Sequence, residues 1–236
     1  MSRMITEDYD HQSLERRRWV LRWMLDQIAF RFLMRYGGAE GVENVPAVGN
    51  AILMINHIAF VDPIVAMASL PRNIVPMAKA EALKYPVWGI FPRIWQVIPV
   101  HREDVDRAAI RKALAVLGAG EIILVAPEGT RNPALQPGRE GVAYLGVKSG
   151  APVVPTAILG SEGFPTLSPS RMRGPAARAR FGKPFRFVSR DRKPDRIVLR
   201  KMTDEALFQL AALLPPERRG EYADLSKATT ETLEFA

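Results

Sequence analysis

Ala51-Ile52-Leu53-Met54-Ile55 is an unbroken apolar run that stops at Asn56-His57, and it is the first of several such runs set between stretches of helical pattern. A short run with no polar face must be covered on both sides, as strands of a parallel sheet are. Further strand candidates are Ile74 to Met77, Trp95 to Val100, Glu121 to Ala126 and Val153 to Leu159, with a more alternating pair at Ala177 to Phe181 and Phe185 to Val188. Between them, one helix starts at Pro63. Val105 to Leu117 reads as another, capped by Asp104, with Ala109, Ala113, Val116 and Leu117 on its apolar face and Gly118 and Gly120 ending it. Gly141 to Ser149 stops at Gly150, and Ile197 to Leu214 stops at Pro215-Pro216. Strands alternating with helices predict an α/β domain on a central, mostly parallel sheet. The expected division is a helical, membrane-associating segment over 1–38, the α/β domain over 39–215, and a polar tail with weak structural signals over 216–236.

Composition narrows the chemistry. With 47% hydrophobic residues in 236, the chain can bury a core. The absence of cysteine excludes a disulfide scaffold, thiolate catalysis, iron–sulfur clusters and cysteine-ligated zinc. A net charge of +8 directs attention to anionic partners, whether phosphate groups, acidic lipid surfaces or nucleic acid, against the plainer reading of a basic solvated surface. A cluster of Arg171, Arg173, Arg178, Arg180, Lys183 and Arg186 around Phe181, Phe185 and Phe187 could serve a basic binding module or be an edge strand with a charged outer face. No zinc-finger spacing or RNA-binding aromatic signature accompanies it, and nucleic acid is not expected as a partner.

No run of eighteen uncharged apolar residues exists, and the start MSRMITEDYD lacks the order of a signal peptide, so the expected location is the cytoplasmic face of the membrane, peripheral or monotopic. From Leu14 to Tyr36, however, Arg18, Arg22, Arg31 and Arg35 alternate with Trp19, Trp23, Met24, Leu25, Ile28, Phe30, Leu33 and Met34, and Gly37-Gly38 ends the pattern. This is a basic amphipathic helix. It either lies in the headgroup plane of an anionic membrane or lays its apolar stripe on the domain with its arginines in solvent.

Two places carry chemistry. His57 follows the first apolar run and Asp62 stands five residues on, a separation of ~140° on a continuous helix, which cannot align them. Pro63 marks a helix start and Asp62 a natural cap, so the chain bends between the two, and the bend can bring carboxylate to imidazole. The alternative is that Asp62 only caps the helix. The second place is Pro127-Glu128-Gly129-Thr130-Arg131, where a glycine allows close backbone approach, Thr130 can donate and Arg131 can grip two oxygens. Glu128 would repel a phosphate, so it orients Arg131 or accepts from a substrate hydroxyl. Arg102, past the Trp95 to Val100 run, adds a cation at the same carboxyl-end edge if the strands are parallel.

The ordered set resembles the 1-acyl-sn-glycerol-3-phosphate acyltransferase family. Asn56-His57 to Asp62 is similar to its His-x4-Asp motif, Gln96 to Arg102 to its second block, Ala126 to Arg131 to its Phe-Pro-Glu-Gly-Thr-Arg block, and Ala151 to Ala157 to its fourth. The resemblance implies an α/β acyltransferase domain with an amino-terminal helical extension. It implies transfer of an acyl group from acyl-CoA or acyl-carrier protein to a lysophospholipid hydroxyl, with no cofactor and no metal. His57 would be the general base and Asp62 its orienting partner. Arg102, Glu128, Gly129, Thr130 and Arg131 would bind the substrate phosphate, and Val153, Val154 and Pro155 would belong to the acyl-donor region. Ala59, Gln96, His101 and Ala126 depart from the usual pattern and leave the acceptor open. Other lyso-lipid acceptors, a thioesterase that uses water, and a basic membrane-surface module are the alternatives.

Overall fold

Every short apolar run needs a cover on each face, and the computed structural model supplies it with helices on both sides of one sheet. It describes residues 12–24, 27, 30, 32–84, 90–101, 106–189 and 194–235. The strands are β1 (Tyr36–Glu40), β2 (Ala51–Ile55), β3 (Ile74–Lys79), β4 (Ile98–Val100), β5 (Ile122–Val125), β6 (Val153–Leu159), β7 (Ala177–Phe181), β8 (Phe185–Phe187) and β9 (Leu233–Phe235). The helices are α1 (Gln12–Met24), α2 (Asp62–Ala68), α3 (Ile90–Trp95), α4 (Arg107–Gly118), α5 (Gly141–Ser149), α6 (Pro169–Arg173) and α7 (Arg196–Ala212). The sheet order is β1-β7-β6-β2-β5-β3-β4, with β8 joining β6 to β9. β6, β2, β5, β3 and β4 run parallel, which brings their carboxyl ends to one edge; β7 runs antiparallel to β6 and β1 parallel to β7.

Alternation along β2 divides the core. Ile52 and Met54 point to a cluster with Ala109, Ala113 and Val116 of α4, Leu145 of α5 and Leu210 of α7. Leu53 and Ile55 point to the opposite cluster with Val65 and Met67 of α2 and Trp95 of α3. The mostly parallel α/β architecture is therefore as expected.

Several local readings are corrected. Trp95 to Val100 is not one strand, because Trp95 closes α3, Gln96 takes a left-handed φ of 58°, and only Ile98–Val100 pairs with β3. The buried Trp95 indole donates to the Ile74 carbonyl at 2.8 Å, which turns the chain before the strand begins. Gly37-Gly38 does not end a helix but lies inside β1, where Gly38 at φ 88° accompanies a register shift against β7. The expected cap Asp104 lies outside the described residues; the carboxylate that caps α4 is Asp106, which accepts from the Ala109 amide at 2.9 Å. The arginine-rich cluster does not lie on an edge strand either, since β7 sits between β1 and β6 and β8 between β6 and β9; Phe181 and Phe185 are buried, Arg180 pairs with Glu40 and Arg186 donates to the Gly150 carbonyl.

α1 inverts the amphipathic expectation. Arg18 is 4% exposed, donates to the Trp95 carbonyl and lies over its ring. Arg22 collects the carbonyls of Met67, Leu70, Pro71 and Arg72 at the carboxyl end of α2. Helix ends leave such carbonyls without intrahelical donors, and a guanidinium satisfies several at once. Trp19 and Trp23 face outward at 66% and 54% exposure, so the arginines dock and the tryptophans meet solvent.

The terminal segment is also better built than a polar tail. Three short 3-10 turns lead to β9, and the Glu205 carboxylate of α7 accepts from Thr229 Oγ1, the Glu231 amide, and the amide and hydroxyl of Thr232. Burial works to raise the Glu205 pKa, but these donors outweigh it and hold the group below its ordinary value. Its contribution to stability is therefore present above the unfolded carboxylate pKa and lost as pH falls through the lower folded value. Glu205→Gln should cost about 1–3 kcal/mol in urea unfolding at pH 7. The gap between variant and wild type should narrow as pH falls below the unfolded carboxylate value and through the lower folded one.

Candidate active site

β2 delivers Asn56 to the carboxyl edge of the sheet, where its side-chain amide donates to the Ile158 carbonyl at 3.0 Å and accepts from the Ile158 amide at 2.7 Å. This sews the end of β2 to β6 and fixes where the next residue, His57, leaves the sheet. The chain then bends as the spacing requires. Asp62 Oδ2 accepts from His57 Nδ1 at 2.9 Å, from the Ile58 amide at 2.6 Å and from the Ala59 amide at 2.7 Å. Asp62 is the first residue of α2 rather than its cap, and its side chain turns back into the loop. The reading of Asp62 as a cap alone is thereby excluded. A carboxylate can only accept, so it selects the imidazole tautomer with the proton on Nδ1 and leaves Nε2 free to take one. Asp62 is fully buried while the His57 side chain keeps 18% exposure, an arrangement that lets the ring meet a substrate and keeps its partner dry.

The loop after β5 holds the same histidine from the other side. Glu128 Oε2 accepts from the His57 amide at 3.2 Å, Glu128 Oε1 accepts from the Gln136 amide at 2.9 Å, and the Asn132 amide donates to the His57 carbonyl at 2.8 Å. Both main-chain groups of His57 are thus gripped by residues 128–132. Glu128 does not orient Arg131 as expected; its oxygens serve backbone amides, and it is 8% exposed. Burial pushes its pKa up to about 7, against the two amide donors that favour the charged form, with the Asp62 charge adding to the rise.

Gly129 has a φ of 70° and closes a tight turn onto the Ala126 carbonyl. Thr130 Oγ1 accepts from Asn132 Nδ2 at 3.0 Å. Arg131 is exposed and sits 5.7 Å from the ring centroid of Phe60, a residue between His57 and Asp62, so the structure brings this cation over the histidine loop. Arg102 lies outside the described residues; its neighbour His101 is exposed at the end of β4. Val153, Val154 and Pro155 are not surface-lining residues: all three are buried within β6, between β2 and the antiparallel strands. Asn132 and Gln136 were not anticipated, because they act through main-chain amides that any residue type supplies.

The site is thus a histidine–aspartate pair at the carboxyl edge of a mostly parallel sheet, with an arginine above the same loop, in an α/β protein. Comparison with known proteins places it in a family. The Acyltransferase family model matches residues 39–159, just over half of the chain, and the chain belongs to that family. Over 128 residues it is 32% identical to a 1-acyl-sn-glycerol-3-phosphate acyltransferase of Borreliella burgdorferi, a match taking in 52% of this chain and 51% of that one. A Bacillus subtilis protein of the same description is 31% identical over 133 residues, 56% of this chain and 67% of its own. The chain therefore matches about half the length of the first relative and two thirds of the second. The fold is that of a crystal structure of a 1-acyl-sn-glycerophosphate acyltransferase from Thermotoga maritima, with a TM-score of 0.60, 23% identity, and coverage of 94% of this chain and 86% of that one.

The raised Glu128 pKa has a signed consequence. The fold favours the protonated carboxyl, so stability is lost as pH rises from the unfolded value near 4.5 to about 7. Measured by denaturant unfolding against Glu128→Gln, the wild type should lose on the order of 2–3 kcal/mol across that window and stay level above it.

Proposed function

We propose that the protein is an acyltransferase that moves a fatty acyl group from acyl-CoA or acyl-carrier protein to the hydroxyl of a lysophospholipid, with 1-acylglycerol-3-phosphate as the first acceptor to test and phosphatidic acid as its product. The observation that carries the reading is the 2.9 Å contact between His57 Nδ1 and Asp62 Oδ2 at the sheet edge. His57 Nε2 takes the proton of the acceptor hydroxyl as its oxygen attacks the thioester carbonyl. The tetrahedral adduct collapses, the carbon–sulfur bond breaks, and the departing thiolate receives the proton from the imidazolium. Asp62 stabilises that cation without taking its proton. A thioester is already activated, so no covalent enzyme intermediate is required. Arg131, with Thr130 and the Gly129 turn, is available to the acceptor phosphate, and Arg102 joins them on the resemblance to the family. Glu128 acts by holding His57.

The acceptor is a membrane lipid. At ~0.8 kcal/mol per methylene, lifting a chain of about fifteen methylenes into water costs on the order of 12 kcal/mol, so the enzyme must work at the leaflet. Among the described residues no helix is long and apolar enough to cross a membrane. Trp19, Val20, Trp23 and Met24, between 43% and 66% exposed on one helix, support peripheral attachment through α1, on the cytoplasmic face in this reading. The net charge of +8 favours anionic lipid.

Incubating the purified protein with one radiolabelled acyl donor and a panel of lyso-lipids tests the reaction. Acceptor-dependent label in a two-chain lipid is expected; free fatty acid released at the same rate with and without acceptor would mean a thioesterase. His57→Ala and Asp62→Asn should each lower turnover by about 10²–10⁴ with melting temperature retained. In vesicle flotation, Trp19→Ser/Trp23→Ser should leave much less protein on phosphatidylglycerol-containing vesicles than the wild type, and undiminished flotation would retire α1 as the anchor.

A further inference from the structure

α1 docks at the carboxyl end of α2, whereas the histidine loop lies at its amino end, so an attachment through α1 alone leaves open what meets the leaflet beside the reacting groups. We propose that the loop after β6, residues 161–168, together with Phe32, is a second membrane contact: an apolar lip at the carboxyl edge of the sheet that dips into an anionic leaflet. This rests on the membrane-surface reading above and adds to it.

Position comes first. Asn56 grips both main-chain groups of Ile158, so the end of β6 and the loop that follows it leave the sheet beside Asn56 and hence beside His57. At the tip of that loop the Thr166 amide donates to the Leu33 carbonyl at 2.8 Å, tying it to the segment that arrives from α1. One residue to either side of this bond stand Leu167, 83% exposed, and Phe32, 61% exposed. A single exposed leucine is ordinary, but two large apolar side chains placed together by a main-chain bond form a patch.

The patch is held in place. Phe164 is buried at the base of the loop, with the Arg171 guanidinium 3.7 Å from its ring centroid. The same guanidinium donates to the carbonyls of Gly160, Glu162 and Pro175, closing the loop on itself. A tip braced this way keeps Leu167 outward and cannot fold it in.

Charge selects the occupant. Arg35 donates to the carbonyls of Arg173 and Gly174, and Arg171 to the three named above, so among the described residues neither positive charge is paired with a carboxylate. Arg173 is exposed beside them, while Glu162, the acidic residue of the loop, is already paired with Arg218. An apolar tip with cationic shoulders matches acyl chains beneath anionic headgroups. An acceptor could then pass from leaflet to His57 without its chain entering water.

Flotation of the full chain with vesicles of phosphatidylcholine and phosphatidylglycerol tests this. Leu167→Asp should lower the partition coefficient about ten-fold, the loss of one leucine from the apolar phase, and Leu167→Phe should keep the wild-type value. Thermal melting of both variants should be unchanged, since the side chain contributes little to the core. Equal flotation of Leu167→Asp and wild type would overturn the lip while leaving attachment through α1 standing. A wild type that does not float at all would overturn the membrane reading itself, and the lip with it.

Discussion

One carboxylate oxygen organises the reactive end of this molecule. Asp62 Oδ2 receives three donors, the His57 ring and the amides of Ile58 and Ala59, in a place with no solvent. An ionised carboxylate survives burial only where donors replace its water, and here those donors come from the very turn that the carboxylate closes. The bend, the imidazole tautomer and the start of α2 are therefore one event.

A second buried carboxylate grips the same histidine by its backbone. Burial raises the Glu128 pKa, and the nearby Asp62 charge adds to the rise. Desolvating this carboxylate lowers the stability of the fold there, and the amide donors of His57 and Gln136 offset only part of that cost. The arrangement gives a ring held from three directions, by Asp62 at Nδ1, Glu128 at the amide and Asn132 at the carbonyl. An imidazole on a backbone fixed so firmly would reorganise little on taking a proton, which is the advantage the general-base proposal draws on.

What could be read from the residues follows from whose partners matter. β2 and β6 were legible because strands covered on both faces must be apolar throughout, and the His57 to Asp62 bend was legible because spacing and Pro63 leave the chain little choice. α4 was found from its apolar face, although its cap was placed two residues early. β1 was missed because Tyr36-Gly37-Gly38-Ala39-Glu40 lacks any β-branched residue and exists by pairing with β7. β9 was missed for the same reason, since Leu233-Glu234-Phe235 is too short to carry a pattern and exists by pairing with β8. Glu128 was found, but its partners were not, because backbone amides leave no mark in a sequence. Val153 to Pro155 were placed in the right strand, where all three are buried.

The orientation of α1 was the hardest to read, and the reason is physical. Periodicity reveals that a helix has an apolar and a basic face but not which one finds the better partner. Here the domain offers a cluster of free carbonyls at the end of α2 and another at Trp95, and these suit guanidinium groups far better than indoles. Once Arg18 and Arg22 are committed inward, the geometry of the helix turns Trp19 and Trp23 out. An apolar face directed away from its own core then depends on a second apolar phase, and the lipid substrate proposed for His57 resides in one. The same inward-facing arginines that fasten the helix to the domain thus determine which surface α1 turns away from it.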